Sequence, residues 1–156
     1  MISDEVFAFL AGGKSVVVGT RDARLEPEVT RAVGLRADPD RRHVSVFLAA
    51  ATAERTLRNL RDNGRIAIAV SNPPDHRALQ LKGALADLRA ATEEDAAAVL
   101  AYVAQVSQVL DVLGLPARLV SRLNCLPCTR AYVRVDEIFL QTPGPGAGSA
   151  LGSRAP

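Results

Sequence analysis

The chain has 156 residues, 48% of them hydrophobic and 23% charged, with a formal net charge of +2. That length supports one domain with a single core and excludes two comfortable ones. The small net charge excludes a global field of the kind that draws a protein onto nucleic acid or an anionic membrane.

No apolar run is long enough to span a bilayer, and the start MISDEVFAFLAGGKS is acidic where a secretory signal would be basic, so a cytoplasmic protein is expected. Ser3-Asp4-Glu5 ahead of Val6, Phe7 and Leu10 predicts a short capped helix that stops at Gly12-Gly13. Ser15 to Thr20 is β-branched and predicts the first strand, and RDARLEP supplies the Asp and Pro of a turn. Glu28 to Leu35 and His43 to Ala49 predict two further strands separated by RADPDRR, and the three together suggest an antiparallel meander.

Thr52 is positioned to cap a helix through RTLRNLRDN, with Leu57 and Leu60 on its buried side and Gly64 as its stop. The strand Arg65 to Ser71 follows at once. After the turn NPPDH, Ala78 to Ala90 predicts a long strand in which Gly83 marks a bulge or bend. TEEDAAAVLAYVAQVSQVLDVLG predicts the longest helix. Thr92 and Asp95 form a box-like cap, and Val99, Val103, Val106, Leu110 and Leu113 recur at helical spacing as a stripe that suits its own barrel or a partner. Ala131 to Thr142 closes the set as a sixth strand.

Six strands without regular β-α alternation predict a mainly β, α+β fold: a six-stranded antiparallel split β-barrel with flanking helices, in one domain over residues 1–142. The remainder, 143–156, is rich in Gly and Pro, lacks a core-forming pattern and is expected to be flexible.

Cys125 and Cys128 in CLPC have the spacing of a redox dithiol, but they sit in a loop before the last strand rather than at the head of a helix. A zinc site would need two more ligands, and the chain offers only His43 and His76, so no metal is expected. No serine or cysteine has a histidine placed as its base, and no glycine pattern makes a phosphate loop. The more promising chemistry is cationic. Lys14 and Lys82 are the only lysines, and arginine's planar fork suits bidentate binding of carboxylate or phosphate, although a genomic preference for arginine would give the same bias. Arg31 falls in mid-strand and Arg55 in the first turn of a helix, where backbone amides and dipole favour anions. If those elements are neighbours, one phosphate can be held by both arginines with the hydroxyls of Thr30, Thr52 or Thr56.

The strand ending in TRAV, the strand HVSVFLAAAT, the helix and strand ERTLRNLRDNGRIAIAV and the strand LQLKGALADL together resemble the pyridoxamine 5′-phosphate oxidase-like, FMN-binding split-barrel family over roughly residues 5–141. The resemblance implies a homodimer with the flavin at the subunit interface, its phosphate held by Arg31 and by Arg55. It also implies that Gln80, Ala32, Val33 and Ala50 contact the cofactor and that the backbone around Val33-Gly34 and Ala49 to Ala51 lines the ring. The family's lysine after the helix arginine is Thr56 here, and the Arg-x-His feature that binds the pyridoxal substrate has no counterpart in AYVRVDEIFLQTPGPG. The implied function is therefore that of an FMN-dependent oxidoreductase acting on an unidentified small molecule. The alternatives are a reductase using the deazaflavin F420 and a non-catalytic flavin- or haem-binding protein. No side chain stands out as a catalytic acid or base. A nucleic-acid partner is disfavoured because only 4% of residues are aromatic.

Overall fold

A computed structural model of the protein describes residues 1–116, Val120 and residues 124–152. The chain runs α1 (Asp4–Leu10), β1 (Ser15–Arg21), β2 (Pro27–Arg31), β3 (Gly34–Ala37), β4 (His43–Ala49), α2 (Glu54–Asn63), β5 (Arg65–Ser71), β6 (Ala78–Ala90), α3 (Glu93–Val112) and β7 (Cys128–Leu140). All strand pairs are antiparallel in a seven-stranded sheet of order β2-β1-β5-β6-β7-β4-β3.

The predicted strand Glu28 to Leu35 is two strands, which corrects the expected count from six to seven. β2 pairs with β1, whereas β3 pairs with β4 at the other end of the sheet. Between them lie Ala32 and Val33 alone, so Arg31 and Gly34 stand at most about 11 Å apart. The two edges must therefore meet, and the sheet curls until they do. The Ala32 amide donates to the Val16 carbonyl of β1 at 3.0 Å, and the Val33 amide donates to the Phe47 carbonyl of β4 at 2.9 Å. The alternation of exposed and buried residues stops here too, because Ala32, Val33 and Gly34 are buried in succession. A Cβ on Gly34 would lie 2.9 Å from Phe47 Cδ2, so glycine lets β3 start against that ring.

Inside the curl, alternate residues of the strands fill the main core, among them Val16, Val18, Val44, Val46, Leu48, Ile68, Leu81 and Val133. Outside it, Phe47 and Ala49 of β4 join Val33, Val99 of α3 and Cys128 in a second apolar cluster. β4 is thus packed on both faces, which accounts for six buried residues in succession from Val44 to Ala49.

α1 is capped by Ser3, whose hydroxyl accepts from the Val6 amide at 3.3 Å. α2 departs from expectation: its N-cap is Ala53, not Thr52, and no side chain caps it. Its end is as read, with Gly64 at φ +66° donating to the Leu60 carbonyl. α3 carries the full capping box, Thr92 and Asp95 bonding each other's amides at 3.2 Å. The residues after β7, expected to be flexible, return along it over 148–151: Gly148 donates to the Leu140 carbonyl, Leu140 to that of Ser149, and Leu151 to that of Ile138.

Gly83 shifts the β6–β7 register as a bulge, and a Cβ there would collide with the Arg134 carbonyl oxygen. Gly83→Ala should therefore lower the free energy of unfolding by roughly 1–3 kcal/mol in urea titrations, as overpacking does; an unchanged midpoint would contradict the close approach.

Candidate functional site

A cavity of about 830 Å³ lies between the seam of the sheet and α3. Its floor is Ala32, Val33 and Ala49, its roof Tyr102, Val103 and Val106, and Arg31 and Thr52 are among its polar lining residues. The size is that of a cofactor or small-ligand site, and the mix of apolar walls with a few convergent polar groups is typical of one.

Each polar group is placed by an identifiable local cause. In β2, alternation sends Glu28 and Thr30 toward α2 and Val29 and Arg31 the other way. The buried Thr30 hydroxyl donates to the Thr52 carbonyl at 3.3 Å, fixing the approach to α2. Arg31 reaches along the cavity mouth, where its guanidinium donates to the Ser15 hydroxyl at 3.3 Å. It meets no carboxylate among the described residues.

Arg55 has a different fate. Its guanidinium is 3.1 Å from the Glu28 carboxylate and does not line the cavity. Thr56 faces inward, fully buried, and its hydroxyl has no hydrogen-bond partner among the described residues. Ala50 is exposed beside the cavity lining, with its amide donating to the Pro127 carbonyl at 3.0 Å. Gln80 is half-buried on β6, between Ala69 of β5 and Phe139 of β7 in the ladder, and also lies outside the lining. Of the nine residues expected from the sequence, the cavity gathers Thr30, Arg31, Ala32, Val33 and Thr52 and leaves Ala50, Arg55, Thr56 and Gln80 outside.

The helix α2 begins just beyond Thr52, and the amides of Glu54, Arg55 and Thr56 find no acceptor among the described residues. An uncapped helix start presents donors and a positive dipole end to whatever sits near it. Tyr102, His76 and Ser15 are among the cavity residues that escaped the sequence reading. Tyr102 lies on the same face of α3 as Val99 and Val106, and its hydroxyl donates to the Lys14 carbonyl. Burial pushes that phenol up to about 12, with Arg31 pulling the other way, so it stays protonated at neutral pH. His76 reaches the cavity from the NPPDH turn at φ +58°, and Ser15 from the start of β1. The helical stripe was the available signal for Tyr102; nothing local marks the other two.

The roof is held by Asp95. This buried carboxylate at the head of α3 accepts from Arg36 of β3 at 3.1 Å and lies 3.3 Å from Arg89 of β6. Burial alone would push its carboxyl up, but the amide and hydroxyl of Thr92, then Arg89 and Arg36, outweigh that and hold it below the usual range.

No family profile matches the chain, and no curated protein matches it in sequence. Solved structures do. HupZ of Group A Streptococcus superposes with a TM-score of 0.59 at 19% identity, over 96% of this chain and 99% of that one. A candidate pyridoxamine 5′-phosphate oxidase of Lactobacillus delbrueckii gives 0.56 at 12% identity, over 88% and 93%. An F420 reductase gives 0.53 at 16%, over 84% and 93%. The fold is therefore that of the pyridoxamine 5′-phosphate oxidase-like split barrels. Among the described residues no helix is long and apolar enough to cross a membrane.

Two outcomes are expected here. Because the Asp95 carboxyl is depressed in the fold, its stabilisation is complete above the unfolded value of about 3.9 and lost as pH falls through the folded one. The melting-temperature gap between the wild type and Asp95→Asn should thus be full at neutral pH and close below about pH 4; a constant gap would show that the charge is not what holds α3. Thr56→Val removes a buried hydroxyl without a partner and should raise stability by about 1 kcal/mol in urea titrations. A loss instead would reveal a partner for that hydroxyl.

Proposed function

We propose that the protein is a flavoprotein that binds FMN non-covalently in this cavity and serves as an oxidoreductase for a small molecule. The observation that carries the reading is an apolar slot of about 830 Å³ whose lining also holds the Arg31 guanidinium and the Thr52 hydroxyl. A phosphate on a planar aromatic ring system asks for both parts. Arg31, which meets no carboxylate among the described residues, would hold the phosphate, and Thr52 would add a hydroxyl. The small side chains of Ala32 and Ala49 permit a ring to approach the backbone closely, while Tyr102 and Val106 exclude water from above.

Flavin, when bound, supplies hydride and electron transfer through its own ring. The chain's task is position and field. Tyr102, protonated at neutral pH and committed to the Lys14 carbonyl, gives the roof a fixed polar edge rather than an exchangeable proton.

Two subunits would share the site. Val29 is 66% exposed at the cavity rim, an apolar position that a partner would cover. A deazaflavin is the second reading, favoured by the engagement of Arg55 with Glu28, which withdraws that guanidinium from a phosphate. The F420 reductase among the structural neighbours is consistent with it.

The deciding experiment is the absorption spectrum of the freshly purified protein, with mass identification of any chromophore released on denaturation. FMN supports the reading, a deazaflavin replaces it with the second, and a colourless protein that fails to bind added FMN overturns both. Within a flavin-binding protein, Arg31→Ala should weaken FMN roughly ten- to a hundredfold, the scale of one charge-assisted contact. Arg55→Ala, already satisfied by Glu28, should weaken it less than about fivefold. The reverse ranking by equilibrium titration would move the phosphate to α2's outer face.

A further inference from the structure

Two thiols play no part in the flavin reading, and the fold places both beside the cavity. Cys128 opens β7 opposite Ala49 of β4 and is buried in the outer apolar cluster with Val33, Phe47 and Val99; Cys125 packs against the same cluster, half-buried. The loop between them is tied down at two points: the Ala50 amide donates to the Pro127 carbonyl at 3.0 Å, and the Ala91 amide donates to the Cys128 carbonyl at 3.1 Å. Two sulfurs three residues apart are thus held on one short anchored loop, next to Asn124, Val33 and Ala49 of the cavity wall. Their surroundings differ. Burial first, then Cys125 and Asp95, push the Cys128 thiol up, which keeps it protonated, while Cys125 has access to solvent. Among the described residues no three metal-ligating side chains gather, so the donors needed to complete a metal site with this pair are missing there.

We propose that Cys125 and Cys128 are a thiol–disulfide exchange pair for low-molecular-weight disulfides, with Cys125 attacking and Cys128 resolving. The Cys125 thiolate bonds to one sulfur of the incoming disulfide and expels the other as a thiolate, leaving a mixed disulfide. Cys128 then gives up its proton, attacks the Cys125 sulfur and expels the second thiolate. One external disulfide is reduced to two thiols as two protein thiols are oxidised to one disulfide, and the two protons lost by the cysteines are taken up by the leaving thiolates. The buried position of Cys128 suits the second step, because there the attack is intramolecular and a high local concentration offsets a low thiolate fraction.

The test is to equilibrate the full chain in mixtures of glutathione and glutathione disulfide of rising oxidising ratio, quench with acid, alkylate and measure intact mass. The expected result is a passage from two alkylated thiols to none through one midpoint, with the loss of two hydrogens and no glutathione retained. Cys128→Ser should trap a single glutathione on Cys125, and Cys125→Ser should take glutathione up about tenfold more slowly on its remaining buried thiol. Two glutathiones on the wild type, or no disulfide at the most oxidising ratio, would overturn the pair. Equal uptake by the two single variants would overturn the division of roles. Circular dichroism checks that the variants fold, and the wild-type titration alone decides the pair if they do not. The readout needs no bound cofactor, so a failure here and a failure of the flavin assignment are separately visible.

Discussion

The whole arrangement depends on a two-residue covalent link. Arg31 ends one edge of the sheet and Gly34 begins the other, so the chain itself forces seven strands to curl until β2 and β3 come together. Ala32 and Val33 serve both edges with their amides, one toward β1 and one toward β4. Because the closure is made by backbone and not by a strand ladder, the wall there is thin and built of small side chains. That is where the cavity lies, and α3 is needed over it because the outer faces of Phe47 and Ala49 would otherwise meet water.

The electrostatics follow from the same geometry. Strand alternation in β2 separates Glu28 from Arg31, so the carboxylate neutralises Arg55 and leaves Arg31 without an ion pair among the described residues. The start of α2, just past Thr52, has no side-chain cap, an arrangement that costs some helix stability and leaves its first amides without an acceptor among the described residues. At the other end of the roof, a buried carboxylate between two arginines is tolerable because both charges and the capping hydrogen bonds replace its lost hydration.

Much of this was legible in the residues. Strand periodicity located β1, β4, β5, β6 and β7; glycine chemistry located the stop at Gly64 and the bulge at Gly83; and Thr92-Asp95 marked the head of α3. What failed had non-local causes. TRAVGL is β-branched and reads as one strand, because only the distant partners Val16 and Phe47 divide it. Thr52 has the chemistry of a cap, yet its carbonyl is engaged by Thr30 and the helix starts a residue later. The ion pair that withdraws Arg55 from the site joins residues 28 and 55, a juxtaposition set by how β2 lies on α2. The positions of Tyr102, His76 and Ser15 around one cavity likewise exist only once the sheet has curled.

β7 outlasts its neighbour: β4 accompanies it as far as Arg134, and beyond that one side of Ile138 to Leu140 would present bare amides and carbonyls. The glycine-rich segment fills that gap, with Ser149 to Leu151 bonding along it. Gly144 and Gly148, at φ +149° and +87°, take backbone conformations that let so short a segment turn back. A composition that looks like a loose end thus acts as a stopper on an open strand edge. A chain ending before residue 148 would offer those three positions as a template for the strand of another molecule.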